Sequence, residues 1–167
     1  ATIALAGTVS VAFVVSSTIG VRTMPEFIEW LKKNPRKQNF GTTAMGSMTH
    51  FFGVLLGKEI GIPLEPIAYK GAGPLIADLS AGHATAGCGG VSDFLTHHKA
   101  EKMRIIAISA PKRVNAAPDL PTIAELGQGH GPELARAVDG RSLVPLLKGA
   151  RENPDATAWG EYLAKGA

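Results

Sequence analysis

Short apolar runs with strand character alternate with helical patterns through residues 1–126, and this alternation constrains the fold more than any other feature. A strand, helix, strand order is typical of parallel strands whose connecting helices pack on the sheet. The sequence therefore predicts an α/β fold with a mostly parallel sheet and helices on both faces. The run at 103–109 has the strongest strand character, so we expect it at the centre of the sheet. The predicted strands lie at 1–17, 37–41, 63–69, 84–88 and 103–109.

Local signals mark the ends of the predicted helices. Thr23 is a candidate N-cap with Pro25 in the first turn, and the helix should end at Asn34 because a residue before proline avoids the α region. A second helix is expected at about 47–59, and a third should close at Gly82. The second helix should bury Phe51, Val54 and Leu55, while Met45 and Met48 are expected to pack and Ser92 or Asp93 to cap a fourth helix.

The composition fits a globular protein. The 167 residues, 45% hydrophobic and 19% charged, suffice for one domain with its own core, or for one domain plus a piece of another. The net charge of +3 comes from scattered Lys and Arg that are not combined with aromatic residues, so no nucleic-acid partner is expected. No apolar stretch reaches the ~20 residues of a membrane helix. The chain begins without Met and shows no secretory signal, so its compartment stays open at this point.

Two loops carry the candidate functional residues. Each follows a strand, contains small and hydroxylated residues, and leads directly into a helix, at 39–52 and at 69–74. The first backbone N–H groups of a helix have no partner within the helix and lie at the positive end of its dipole, so they favour an anion. Ser and Thr also cap helices without any ligand, so a capped turn is the alternative interpretation. The sequence predicts capture of an anion at these loops, with no bond broken.

The sequence gives little support for a disulfide, a reactive thiol or a metal site. The one cysteine, Cys88, excludes an internal disulfide and a cysteine-based zinc site. No His or Lys adjoins it in the sequence to lower its pKa, so a buried structural thiol is expected. The adjacent His97 and His98 lack the i, i+4 spacing of a metal pair, and we expect both to be solvated. No metal or cofactor is predicted.

No enzyme motif is evident either. A hydrolase needs a nucleophile, a base and an orienting acid in one cleft, and no motif unites the candidates, which are Asp78, Asp93, His50 and Ser92. The run Gly71-Ala72-Gly73 lacks the third glycine and the downstream acid of a dinucleotide-binding fingerprint, and no P-loop lysine follows either loop. We therefore expect a binding protein and not an enzyme.

Residues 9–127 resemble the substrate-binding proteins of tripartite tricarboxylate transporters, the Bug or TctC-type family. The resemblance is carried by Thr23-Met24-Pro25-Glu26-Phe27, Asn39-Phe40-Gly41, Tyr69-Lys70-Gly71-Ala72-Gly73-Pro74 with Asp78-Leu79, and Ala116 with Pro118-Asp119-Leu120-Pro121-Thr122. It implies a periplasmic-binding-protein-like (type II) lobe, a small carboxylated metabolite as ligand, membrane permease subunits as partners, and a periplasmic location.

The resemblance also implies which residues contact the ligand. In this family a carboxylate is held by backbone amides, hydroxyls and ordered waters at helix starts. Carried over position by position, the ligand-binding residues would be Thr42, Thr43, Ala44, Gly46, Ser47, His50, Tyr69, Lys70, Gly71 and Ala72. Where the family often has Phe-Asp-Asn, this chain has Cys88-Gly89-Gly90, so a polar contact to the distal end of the ligand is expected to be missing.

The end of the chain departs from that family. Residues 138–167 resemble the C-terminal piece of a choline-sulfatase-type sulfatase, through Asp139-Gly140-Arg141-Ser142-Leu143 and Pro145-Leu146-Leu147. The nucleophile and the metal carboxylates of such enzymes lie far upstream and have no counterpart here. We therefore expect residues 1–127 to form a truncated binding lobe, mainly the second of two lobes, and residues 128–167 a divergent tail. The alternative is a sulfatase- or hydrolase-related fragment without a catalytic site of its own.

Overall fold

The computed structural model describes residues 10–110, 113, 115 and 117–126, in which strands and helices alternate. The predicted tail, the sulfatase-like segment and the first part of the predicted strand at 1–17 lie outside these residues. The strands are β1 Val11–Ser16, β2 Asn39–Thr42, β3 Glu65–Ala68, β4 Ala86–Gly90 and β5 Met103–Ile108. The helices are α1 Met24–Lys33, α2 Met48–Glu59, α3 Ala72–Ala81, α4 Val91–Lys99 and α5 Ile123–Leu126, with 3-10 turns at Ser17–Ile19 and Pro35–Lys37.

The five strands form one mixed sheet in the order β3-β2-β4-β1-β5. The pairs β3–β2 and β2–β4 are parallel, whereas β1 is antiparallel to both β4 and β5. Four strands therefore run in one direction, and β1 alone among these five runs in the other. The prediction that β5 is central was wrong, because it lies at the edge of the sheet. β5 is strongly apolar because all of its residues except Arg104 are buried, although the strand lies at the edge of the sheet.

Helices cover both faces of the sheet, as predicted. One side of β1, with Phe13, packs in a core that includes Phe27 of α1 and Leu56 of α2. The other side of β1, with Val14, packs in a second core that includes Leu75 of α3 and Phe94 of α4. A strand buried on both faces needs apolar residues on both, which is why β1 reads as a continuous apolar run and not as an alternation.

The predicted helix signals act where the sequence places them. Thr23 is the N-cap of α1, and its Oγ1 accepts a hydrogen bond from the Glu26 N–H at 3.4 Å. The helix ends at Asn34, directly before Pro35. Gly82 closes α3 in the left-handed conformation, at φ +77°. The start of α4 differs from the prediction, since its N-cap is Gly90 and not Ser92 or Asp93.

The burial of α2 and of the loop before it differs from the prediction. Phe51 and Val54 are only half-buried, and the ring that enters the core is that of Phe52. Met45 and Met48 do not pack in the core, since they are 53% and 52% exposed. Within the described part of the chain, no helix is both long enough and apolar enough to span a bilayer.

Candidate functional site

Three parallel strands end at one edge of the sheet, and a helix begins beyond each of them. The strands are neighbours in the order β3-β2-β4, and α3, α2 and α4 follow them in the chain. The helix starts therefore lie side by side along the carboxyl edge of the sheet, with the α2 start between the other two. In open α/β sheets ligands bind outside the carboxyl ends of the strands. Both loops predicted from the sequence lie at this edge.

The loop after β2 is held by a cluster of hydroxyl groups around Thr49. The Thr49 Oγ1 lies 2.9 Å from the Oγ1 of Thr42, 3.4 Å from the Oγ1 of Thr43 and 2.8 Å from the Oγ of Ser47. The Ser47 hydroxyl donates to the Ala44 carbonyl at 2.7 Å. Because the Thr42 side chain is fully buried, its hydroxyl stabilises the loop from the interior of the protein, through Thr49.

The start of α2 has no side-chain cap. Ser47 is the N-cap residue and has extended backbone, yet its hydroxyl accepts no hydrogen bond from a backbone N–H of the first turn. That hydroxyl is turned back towards the loop, so the first-turn N–H groups face the edge without a side-chain acceptor. The His50 Nδ1 accepts a hydrogen bond from the Gly46 N–H at 3.2 Å, which leaves Nε2 as the nitrogen that can face a ligand.

Tyr69 joins the two loops. Its N–H donates to the Thr42 carbonyl at 2.9 Å, and a Cβ placed on Gly41 would lie 2.8 Å from its Cε2, so the ring covers that glycine. The Tyr69 hydroxyl donates to the Asp78 Oδ2 at 2.8 Å. Burial, and then this hydrogen bond to a carboxylate, raise the pKa of Tyr69 to about 12. Tyr69 is therefore neutral, and its ring is held between Gly41 of β2 and Asp78 of α3.

The start of α3 is also uncapped. Gly71 is the N-cap residue, with no side chain to offer, and its φ of +95° and ψ of −177° define a conformation open almost only to glycine. A Cβ at Gly71 or Gly73 would meet nothing within 4 Å, so the space beside this helix start is open. Pro74 has no N–H that needs a partner. Ala72 is half-buried and Lys70 is exposed.

The two other long helices with a start in the described chain each have a side-chain oxygen of their own that accepts a hydrogen bond at the start. Thr23 caps α1, as described above. Asp93 lies in the first turn of α4, and its Oδ2 accepts the Gly90 N–H at 3.2 Å. The starts of α2 and α3, the two that the sequence singled out, have neither a side-chain cap nor an acidic residue in the first turn.

The segment Cys88-Gly89-Gly90 ends β4 beside the loop after β2. A Cβ on Gly89 would lie 3.3 Å from the Thr43 Cγ2 and 2.7 Å from the Phe94 Cε2. Cys88 is fully buried in the sheet, and this burial raises the pKa of its thiol well above the ordinary value. A thiol that stays protonated is a poor nucleophile, which agrees with the structural role predicted for it.

The structure brings the predicted site residues together at one edge but gives them different exposures. Ala44, Gly46 and Lys70 are exposed, whereas Thr42 is buried. The predicted set omitted Thr49, which is the centre of the hydroxyl cluster, although its position seven residues after Thr42 and two after Ser47 was visible in the sequence. Within the described residues, no group of three or more His, Cys, Asp and Glu side chains could hold a metal ion.

Known proteins resemble this chain in sequence and in fold. A family model described as the tripartite tricarboxylate transporter family receptor matches residues 1–135. A protein of Agrobacterium vitis, UPF0065 protein in the TAR-I ttuE-ttuC' intergenic region, is 30% identical over 106 residues, which are 64% of this chain and 31% of that protein. Protein BugT of Bordetella pertussis is 29% identical over 125 residues, which are 75% of this chain and 38% of BugT.

A solved structure of R. palustris Rpa4515 with adipate superposes with a TM-score of 0.67 at 23% identity, covering 78% of this chain and 49% of that one. This likeness confirms the periplasmic-binding-protein fold. The matched part of the chain covers only about a third of the length of these curated relatives, at 31% and 38%. Because the family model matches most of the chain, the chain belongs to the tripartite tricarboxylate transporter receptor family.

Proposed function

We propose that this chain is a ligand-binding lobe of a solute receptor, and that it holds the carboxylate of a small organic acid between the starts of α2 and α3. The observation that carries the proposal is the contrast between the helix starts. Thr23 caps α1 and the Asp93 carboxylate lies at the start of α4, whereas the starts of α2 and α3 have neither a side-chain cap nor an acidic residue and follow neighbouring strands. Uncapped helix starts with glycine and small residues are suited to a carboxylate.

The proposed contacts are of two kinds: hydrogen-bond donors to the carboxylate, and side chains that pack against the rest of the ligand. The first-turn amides of α2 and α3 would donate to the carboxylate, together with the hydroxyls of Thr43 and Ser47 and the Nε2 of His50. Lys70, exposed beside the start of α3, adds positive charge. The Tyr69 ring, which lies over Gly41, would pack against the body of the ligand. Thr42 would act indirectly, by holding Thr49 and the loop.

The wider setting is part of the same proposal. A receptor of this family would deliver its ligand to membrane permease subunits of a tripartite transporter, in the periplasm. Residues 1–127 would form mainly one of two lobes, with the ligand bound where the lobes meet. The resemblance of residues 138–167 to a sulfatase stays a prediction, because they lie outside the described residues.

A thermal-shift panel of small mono-, di- and tricarboxylates tests the proposal. A ligand at about 100 times its Kd adds about 2.7 kcal/mol to the free energy of unfolding. For a chain of this size that corresponds to a rise in Tm of roughly 5–10 °C. We expect such a rise with at least one carboxylate and none with the corresponding amide or alcohol. A cooperative melt that no acid shifts would contradict the proposal.

A further inference from the structure

The carboxyl edge of the sheet changes in charge from one end to the other. Lys70 lies on the β3 side, beside the uncapped start of α3, and Asp93 lies on the β4 side, in the first turn of α4. The α2 start is between them. The edge therefore offers an anion a favourable place at α2 and α3 and an unfavourable one next to α4.

Asp93 occupies the α4 start with the chain's own negative charge. Its Oδ2 accepts the Gly90 N–H at 3.2 Å, so this carboxylate already compensates the positive end of the helix. The start of α4 is close to the proposed binding loop, because a Cβ on the adjacent Gly89 would lie 3.3 Å from the Thr43 Cγ2. A second carboxylate of a ligand, reaching along the edge towards β4, would meet a like charge.

The same edge carries exposed apolar surface. Met45, in the loop after β2, is 53% exposed, and Met48, the first residue of α2, is 52% exposed. Two exposed methionines three residues apart offer flexible apolar side chains that adapt to the shape of a partner. At β4 the end of the strand is Gly89-Gly90, which presents no side chain to hydrogen-bond a polar group of a ligand.

Resting on the proposed function, we infer that the site selects a monocarboxylate with an apolar body over a dicarboxylate of the same length. One carboxylate is held between the starts of α2 and α3. The apolar body of the ligand lies against Tyr69, Met45 and Met48. The charge of Asp93 disfavours a second carboxylate on the β4 side.

Isothermal titration of the full 167-residue chain with hexanoate and adipate tests this inference. The two acids have the same carbon chain and differ in the second carboxylate. We expect hexanoate to bind about tenfold more tightly at low salt, which is the effect of one nearby like charge at a partly exposed site. The preference should shrink as salt is added, because Asp93 is exposed and its field is screened.

Two pairs of variants assign the preference to named side chains. Asp93→Asn removes the charge and keeps an oxygen that can accept the Gly90 N–H. The affinity for adipate should therefore rise by most of the tenfold difference, while the affinity for hexanoate changes little. Glu29→Gln removes an exposed charge on α1 and should change the affinity for neither acid. Met45→Ser with Met48→Ser should weaken hexanoate about three- to tenfold through lost apolar contact. Ile67→Ser removes another exposed apolar side chain, on β3, and should leave the affinity for hexanoate unchanged.

The outcomes separate this inference from the function on which it rests. Tighter binding of adipate than of hexanoate, or no gain for adipate in Asp93→Asn, would overturn the selectivity and leave the proposed carboxylate site standing. If no carboxylate of any kind bound to the chain, the proposed function would fail and the selectivity with it.

Discussion

At the scale of single residues, Gly71 is the position on which the proposed site depends most directly. Its φ of +95° lets the chain turn into α3 with the first amides facing the open edge. A side chain there would both strain the backbone and occupy the space where we place the carboxylate. These two effects need to be separated in any test of the residue.

We expect Gly71→Val to lose about 1–3 kcal/mol of stability from backbone strain, and to lose the carboxylate-induced rise in Tm as well. Gly61→Val is the matched control, because Gly61 also has a positive φ, of +69°, and open space around its Cα, but follows the other end of α2. It should lower the Tm of the free chain and keep the rise with ligand. Equal rises with ligand in both variants would remove Gly71 from the site.

Cys88 gives a second prediction at this scale. Its thiol is fully buried and its pKa is raised well above the ordinary value, so the thiolate is scarce in the native protein. We expect no reaction with Ellman's reagent at pH 8 in the time in which the urea-unfolded chain reacts completely. Reaction of the native chain at the unfolded rate would mean that the thiol is accessible and reactive.

At the scale of elements, the contrast between capped and uncapped helix starts has consequences for stability. Thr23→Ala removes the cap of α1, so the free energy of unfolding should fall by about 1 kcal/mol in urea denaturation, with the rise in Tm on carboxylate binding unchanged. Thr23→Ser keeps a hydroxyl that can accept the Glu26 N–H and should stay within a few tenths of a kcal/mol of the parent chain. A loss as large in the Ser variant would show that the cap is not the cause.

The contact of α4 with β5 predicts a dependence on pH. The His98 Nδ1 accepts the Ile105 N–H at 3.3 Å. Burial, and then the charge of Arg104, lower the pKa of His98 from 6.5. The unfolded chain therefore binds this proton more readily, so the stabilisation is complete above pH 6.5 and is lost as the pH falls through the lowered native value.

The variant His98→Asn keeps a side-chain oxygen near Nδ1 and does not titrate. Between pH 7.5 and pH 5, the parent chain should lose more free energy of unfolding than His98→Asn does, as measured by urea denaturation. The two proteins share every other side chain, so the contribution of the rest of the chain cancels in the difference. Parallel losses in the two proteins would contradict the shift in the pKa of His98.

The edge strand β3 shows how the fold limits unwanted pairing. Glu65 and Tyr69 direct their N–H groups to β2, through the carbonyls of Gln38 and Thr42. Pro66 falls on the alternate set, which faces away from β2, and has no N–H to offer. The free edge of β3 is therefore a poor template for a further strand, although Ile67 is 45% exposed.

Features set by neighbouring residues could be predicted from the sequence, and features set by distant pairing could not. The Thr23 cap and the helix end before Pro35 depend on a few adjacent residues. The antiparallel direction of β1 and the edge position of β5 depend on which strands pair across the chain, which an apolar run does not specify. His98 was expected in solvent because its partner Ile105 lies in the next strand.

The position of the two candidate loops could be predicted for a similar reason. Two strand ends that lead into small residues and a helix are local signals, and the parallel pairing of β3 with β2 brings them together. The sequence did not show which residues of these loops hold the loop in place and which ones could contact a ligand. The burial of Thr42 and the central place of Thr49 arise only when the loop folds back on α2.

At the scale of the whole molecule, the described residues form one sheet with two hydrophobic cores. The chain spans 48–49% of the length of the structures it resembles, such as periplasmic binding protein BugD and Rpa4515. A two-lobed receptor closes around its ligand, and closure contributes contacts from both lobes. The affinity of this chain alone should therefore come from the α2 and α3 starts.

The most direct test of the central claim is a titration of the 15N-labelled chain with hexanoate, followed by two-dimensional NMR of the backbone amides. We predict saturable shifts of the first-turn amides of α2 and α3, at Met48, Thr49, Ala72 and Gly73. The amides of α1 at Glu26 and Phe27 should stay in place. Shifts confined to other parts of the chain, or none at millimolar acid, would contradict a carboxylate site at these two helix starts.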